Sequence, residues 1–212
     1  HKTPGVEAPR AFLEVFDKTP LPGPGSGRLE LAKRVTDPAN PLVARVLVNR
    51  LWKHHFGEGL VRSPDDFGSQ GQPPTHPELL DFLATRFVAD GWSLKRLVKD
   101  LVLSRTYQLA SADDKANLAK DEANVGLWRW NRKRLDAEEL RDAALAVSGR
   151  LDPARPAGSP VLELGLRELG GNTDYSPIEK PTRHRSVYLP IVRGRSPEAL
   201  ALFDLPDPSL VS

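Results

Sequence analysis

Cysteine and methionine are both missing from this 212-residue sequence. Without cysteine the chain can form no disulfide, no thiolate metal site and no CxxCH haem attachment. It also has no recognisable cofactor-binding loop or metal signature, so we expect no cofactor in this chain. Because methionine is absent even from position 1, we expect the sequence to be a fragment of a longer protein that lacks its signal peptide. An apolar run of about 18 residues is missing as well, and the sequence therefore predicts no membrane span.

A strong surplus of either charge is also missing. The formal net charge is +2, with 27% charged and 39% hydrophobic residues. Domains that bind nucleic acid concentrate basic residues, so this balance predicts no nucleic-acid partner. It is typical of a soluble globular protein, and the length is sufficient for one domain with a substantial core or one domain with extensions.

What the sequence does contain is a strongly apolar helix pattern from Leu42 to Phe56. Asn40 is a good N-cap, Pro41 suits the first helical position, and Gly57 suits a left-handed C-terminal cap. Apolar side chains cover nearly the whole circumference, which is typical of a helix buried at the centre of a domain. We therefore expect Trp52 to lie in the core, in contact with the helices that begin near residues 76 and 93.

The charged residues of this helix need partners, because an unpaired buried charge is very costly. We expect Arg45 or Arg50 to form a buried salt bridge, since the helix should have little surface facing solvent. The partner is predicted to be Asp65, Asp66 or an acid of the helix at 136–142.

The rest of the pattern predicts a mainly α-helical fold. Capping-box patterns at 75–78 and 136–139 each open a helix. The segment 186–192 (SVYLPIV) is the best strand candidate, although Pro190 demotes it to an edge or extended segment. Further helices are predicted at 28–35, after Ser93, and from Ser196 through Phe203. We expect an irregular multi-helix bundle with a small β or extended C-terminal part.

Changes in composition divide the chain into three segments. Residues 1–27 are predicted to be an N-terminal extension and linker, and residues 28–150 the helical core. Proline and glycine recur in residues 151–212, which we expect to lie against the core and to be truncated at their end.

The loop at 57–74 is longer than a simple connection requires, and such loops are more often functional or tightly self-packed. Its carboxylates and the histidines on either side provide candidate metal ligands, His55, Asp66 and His76, whose nitrogen and oxygen donors suit zinc or manganese. The alternative, which we favour, is that these side chains cap helices and hold the loop, so we expect no metal.

A cluster of basic residues lies near the C-terminus and consists of Arg183, His184, Arg185, Arg193 and Arg195. Its arginines could bind a carboxylate, sulfate or phosphate by forked hydrogen bonds, or could instead pair with acids of the helical core such as Asp142. The predicted ligand site comprises Arg50, Asp65, Asp66, His76, Arg183, Arg185 and Arg193. It would suit a sulfated or carboxylated glycan, or the arginines would simply neutralise the two loop carboxylates. No catalytic residue can be assigned, since neither a GxSxG nor an HExxH motif is present.

Four blocks of the sequence resemble the planctomycete family called domain of unknown function 1553: NPLVARVLVNRLWKHHFGEGLVRSPDDFGSQGQPPTHPELLDFLA, GWSLKRLVKDLVLSRTYQ, RKRLDAEELRDAALAVSGRL and RHRSVYLPIVRGRSPEALALFDLPDPS. In that family the module lies C-terminal to a second planctomycete domain of unknown function, often behind a cytochrome c-like domain. The resemblance therefore implies an exported protein, periplasmic or extracellular, with these domains as partners. It implies no reaction. The residues at motif positions are Arg45, Asn49, Arg50, Trp52, Phe56, Gly57, Asp66, Phe67, Gly68, His76 and Arg185.

Two functions stay open at this point. The preferred one is a binding or scaffolding module of a large exported protein, acting with a cytochrome c-like or polymer-processing partner domain and with anionic polysaccharide as a further partner. The alternative is a hydrolytic or redox enzyme on extracellular polysaccharide, with its site in the loop at 57–76. A deep polar pocket into which Arg50, Asp66 and His76 converge would favour the enzyme, whereas their use in buried pairs would favour the module.

Overall fold

The computed structural model describes residues 9–23, 25–164, 174–192 and 197–205. As the sequence predicts, these residues are mainly helical, and their extended pairing includes isolated bridges such as the one between Asp152 and His184. The chain divides into two units, His1–Arg132 and Lys133–Ser212. The predicted three-segment division stays a prediction. No helix in the described part is long and apolar enough to cross a membrane.

Five helices lie in the part of the first unit that the structure describes. They are α1 (Arg28–Val35), α2 (Pro41–Phe56), α3 (Pro77–Ala89), α4 (Leu94–Val102) and α5 (Lys115–Lys120). The predicted ends of α2 are confirmed, because the Asn40 side chain accepts from the Leu42 N–H and Gly57 ends the helix with a φ of 89°. Only glycine adopts that φ without strain.

One side of α2 forms the core of this unit, where it lies against α3 and α4. Trp52 is 4% exposed, as predicted, and its ring stacks on that of Phe56 with 3.9 Å between centroids. The buried residues of α2 recur every four positions and are Ala44, Val48, Trp52 and Phe56, with Asn49 beside them. Leu80, Leu83, Ala84 and Phe87 of α3, Leu97 and Leu101 of α4, and Leu60 and Val61 of the loop that follows α2 also belong to the core.

The expectation that α2 is buried on almost every side is wrong. Arg50, Lys53 and His54 are exposed, because α3 and α4 cover only the opposite side of the helix. The apolar side chains outside the buried stripe, such as Leu47 and Leu51, are only partly buried. A high count of apolar residues therefore overstated how much of the helix is enclosed.

The capping box expected at 75–78 is also absent. The N-cap of α3 is His76, without a side-chain cap bond, and Pro77 occupies the first helical position. Thr75 instead donates both its N–H and its hydroxyl to the Leu60 carbonyl, at 2.8 and 3.2 Å. Because proline fixes the helix start one residue later, Thr75 is free to join the preceding loop.

The second unit contains α6 (Ala137–Val147), α7 (Ser176–Glu179), α8 (Glu198–Ala201) and two 3-10 turns, Pro160–Leu164 and Ser186–Tyr188. The capping box that opens α6 is confirmed. Helix α6 contacts α8 and the turn Ser186–Tyr188. The strand expected at 186–192 is wrong at its start, where the chain turns because Ser186 is held by α6. Ser196, the expected cap of the last helix, lies outside the described residues.

Candidate functional site

The side chain of Asn49 on α2 holds the start of the long loop. It is fully buried, and its amide donates to the Val61 carbonyl at 2.9 Å and accepts from the Val61 N–H at 2.8 Å. Gly59 lies so close that an added Cβ would be 2.5 Å from the Val61 carbonyl oxygen and 2.9 Å from the Asn49 amide. The loop therefore reaches α2 only because residue 59 has no side chain.

Further along, the loop is held by its own polar side chains. The Ser63 hydroxyl donates to the Asp66 carbonyl at 2.7 Å and accepts from the Gln72 N–H at 2.8 Å. The Asp66 carboxylate accepts from the Gly68 N–H at 2.8 Å. An added Cβ on Gly71 would lie 2.1 Å from the Asp66 carbonyl oxygen. These bonds make the segment 63–72 a tightly self-packed loop. This is one of the two explanations, functional or self-packed, that the sequence left open for the length of the loop.

The predicted ion pair of α2 exists, but it is not buried. Arg50 contacts Asp65 at 2.9 Å, and the two side chains are 55% and 85% exposed. Arg45 instead pairs with Asp81 of α3 at 2.6 Å, a partner that the sequence did not predict, and this lowers the pKa of Asp81. The prediction of a buried salt bridge is therefore wrong, because Arg50 is exposed and Arg45, 32% exposed, pairs with an exposed carboxylate.

The candidate metal ligands do not come together. His55 uses its Nδ1 on the Leu51 carbonyl of its own helix at 2.7 Å, and His76 uses its Nδ1 on the Thr75 hydroxyl at 3.0 Å. Asp66 is used within the loop. Within the described ranges, no group of three histidine, aspartate or glutamate side chains is arranged to hold a metal ion.

A turn at 121–131 is a second polar centre of this unit, and sequence reasoning did not single it out. The Asp121 carboxylate accepts from the N–H groups of Val125 and Gly126 at 2.8 and 2.7 Å, which lowers its pKa. Asn124 is 2% exposed with a φ of 52°, and its amide donates to the Arg129 carbonyl at 2.8 Å. The sequence signal that could have indicated this turn is the Asn-Val-Gly triplet at 124–126, since asparagine tolerates a positive φ.

In the second unit, a partly buried network of hydrogen bonds joins α6 to residues 182–186, the first part of the basic segment 182–195. Arg141, whose side chain is 13% exposed, donates to the backbone carbonyls of Thr182 and His184 and to the Ser186 hydroxyl. The neighbouring Asp142 carboxylate accepts from the Ser186 N–H at 2.8 Å and from its hydroxyl at 2.7 Å. Because charge-assisted bonds are among the stronger ones, they fix the backbone of residues 182–186.

The arginines of that segment have different surroundings. Arg185 is 57% exposed, and within the described part of the chain its side chain makes a single long contact, 3.9 Å to Asp142, the acid that the pairing alternative named. Arg183 is exposed, and its side chain has no hydrogen bond or ion pair among the described residues. Between them, His184 turns inward to the Ala154 carbonyl at 3.1 Å and to Asp152 at 3.4 Å. Arg193 lies outside the described residues.

Comparison with known families identifies the module. Residues 27–212 match the family described as "Protein of unknown function (DUF1553)". The chain belongs to this family. No curated protein and no solved structure matches the chain.

Several motif positions on which the DUF1553 resemblance rests have clear structural roles. Trp52 and Phe56 form the stacked centre of the core, and Gly57 ends α2. Asn49 and Asp66 hold the two halves of the loop at 57–76. These positions therefore contribute to the core and to the loop of the first unit of this DUF1553 chain.

Proposed function

We propose that this DUF1553 chain is a non-catalytic module that binds an anionic polymer through exposed arginines of its second unit. The use of the loop side chains supports a module rather than an enzyme. Arg50 pairs with Asp65, Asp66 accepts from the Gly68 N–H, and His76 bonds to Thr75. Side chains that serve their own loop in this way are poor acids, bases or ligands for a substrate.

The observation that carries the proposal is the fixed backbone beneath Arg183 and Arg185. Arg141 and Asp142 hold residues 182–186 through hydrogen bonds, while the two arginine side chains remain exposed. A guanidinium on a fixed backbone loses less conformational freedom when it binds a carboxylate or sulfate. It also matches the forked geometry of such anions.

A sulfated or carboxylated polysaccharide fits this arrangement, because its charges repeat along an extended chain. The exported location and the partner domains that the family resemblance implied are consistent with such a polymer. Arg193 and the loop residues of the predicted site stay predictions.

The test is calorimetric titration of the whole chain with sulfated, carboxylated and neutral oligosaccharides of equal length. Losing one charge-assisted hydrogen bond costs about 1.5–3 kcal/mol, so Arg183→Ala or Arg185→Ala should weaken anionic binding at least about tenfold. Arg96→Ala is the matched control, since Arg96 is exposed but paired with Asp90 on the first unit. Arg50→Ala tests the loop part of the predicted site.

Equal affinity for neutral and anionic oligosaccharides, or no measurable binding by the wild type, would refute the proposal. Circular dichroism of each variant separates a lost contact from a lost fold.

A scaffolding role is the second candidate, favoured by exposed apolar side chains of the second unit. Val147, Leu162, Val187 and Leu202 are between 71% and 92% exposed. Among the described residues of this unit, those that are buried are Ala137, Ser186 and Leu200. The occupant we propose is a neighbouring folded domain of the same polypeptide, as the resemblance implied.

The scaffolding role is tested on the natural longer polypeptide. Replacing Val147 and Leu202 by lysine should increase protease cleavage between the neighbouring domain and this module, because the contact that shields the connection is lost. Unchanged cleavage would contradict this role.

A further inference from the structure

A crevice of about 430 Å³ lies in the second unit beside the basic segment. Its wall is formed by Arg155, Pro156, Ala157, Gly158, Ser159 and Tyr188. That volume is within the range of small-molecule sites, which is about 300–1,000 Å³. It suffices for a sugar ring with its substituents.

The crevice has two walls, residues 155–159 and Tyr188, and hydrogen bonds outside the crevice hold each of them in place. The segment before Arg155 is joined to the basic segment by the Asp152 N–H, which donates to the Arg183 carbonyl at 2.9 Å. His184 adds a contact to the Ala154 carbonyl at 3.1 Å. On the other side, the Tyr188 N–H donates to the Arg185 carbonyl at 3.0 Å, at the end of a turn that begins with buried Ser186.

The chemistry of the crevice combines a cation with an aromatic ring. Arg155 is exposed, and across the described ranges its side chain has neither a hydrogen bond nor an ion pair. Tyr188 is half-buried and lines the same crevice. Aromatic faces accept planar or ring-shaped partners by contact, and a guanidinium accepts an anionic substituent by forked hydrogen bonds.

We propose that this crevice binds one anionic sugar residue, with its ring against Tyr188 and its sulfate or carboxylate on Arg155. The inference rests on the proposed function, which it deepens by naming the subsite. Arg183 and Arg185 would then contact charges elsewhere on the same polymer. The ring contact requires a sugar, so a free inorganic anion lacks half of the interaction.

The experiment is titration of the whole chain with a sulfated oligosaccharide, a neutral oligosaccharide of equal length and inorganic sulfate. We expect Tyr188→Ala and Arg155→Ala each to weaken binding of the sulfated oligosaccharide at least about fivefold. Tyr188→Ala removes the ring contact, and Arg155→Ala removes the charge-assisted hydrogen bonds. Tyr188→Phe, which keeps the ring, should bind like the wild type. Arg134→Ala is the control, since Arg134 is 66% exposed in the same unit but paired with Asp204.

The outcomes separate the two proposals. Wild-type affinity in the Tyr188→Ala and Arg155→Ala variants, together with lost binding in Arg183→Ala, would overturn the crevice and leave the proposed function standing. Inorganic sulfate that competes as well as the sulfated oligosaccharide would also overturn it. No binding of any probe by the wild type would overturn both. If Tyr188→Ala fails to fold, Arg155→Ala decides.

Discussion

Replacement of Asn49 by alanine should destabilise the first unit strongly. The Asn49 amide is fully buried and makes two hydrogen bonds to the backbone of Val61, at 2.8 and 2.9 Å. Without it, one buried N–H and one buried carbonyl lose their partner, at a cost of about 1–3 kcal/mol each. Alanine is a better helix former than asparagine by up to about 0.7 kcal/mol, which offsets only a small part of the cost of the two lost hydrogen bonds. We expect a net loss of about 2–5 kcal/mol.

The assay is urea denaturation followed by tryptophan fluorescence. All four tryptophans lie in the first unit, so the signal reports unfolding of that unit. With a slope of about 2 kcal/mol per molar urea, the midpoint should fall by about 1–2.5 M. Asn117→Ala is the matched control, because Asn117 is exposed on α5 and should change stability by less than about 0.5 kcal/mol.

Asn49→Asp then separates the hydrogen bonds from lost volume. Aspartate has nearly the same size, but at neutral pH it places a buried negative charge against the Val61 carbonyl. It should therefore destabilise at least as much as alanine. An Asn49→Ala midpoint equal to that of Asn117→Ala would refute the reasoning, since the two buried backbone groups would then have no net cost.

Two further predictions concern the loop and the turn of the same unit. Gly71→Ala should lower the free energy of unfolding by about 1–3 kcal/mol, because its Cβ would lie 2.1 Å from the Asp66 carbonyl oxygen. Gly25→Ala is the control and should leave stability nearly unchanged, since no atom lies within 4 Å of its Cβ. Equal urea midpoints for the two variants would contradict this prediction. Two N–H donors lower the pKa of the Asp121 carboxyl in the folded state. The charged carboxylate therefore stabilises the turn fully above the ordinary aspartate pKa of about 3.9. This stabilisation is lost as the pH falls through the lower pKa of the folded state. An NMR titration of the Gly126 amide should therefore show a midpoint below 3.9, and one at or above 3.9 would disprove the turn geometry.

Local signals in the sequence were sufficient for most of the helical fold. Asn40, Gly57 and Ser93 act as caps where their side chains or backbone conformations predict, because capping depends on neighbouring residues alone. Trp52 was placed in the core correctly because a helical repeat of large apolar residues needs burial whatever covers it. The family, too, was recognisable from the sequence blocks.

The surroundings of polar side chains were decided by the tertiary structure. Sequence could propose that Arg50 pairs with Asp65 but not that the pair is exposed, since exposure depends on which side of α2 the other helices cover. Nor could it show that Ser186 is drawn onto α6 by Asp142, 44 residues away, which turns the chain where a strand was expected. Local pattern fixes a helix through bonds between near neighbours, whereas a polar cluster depends on distances between segments that only folding brings together.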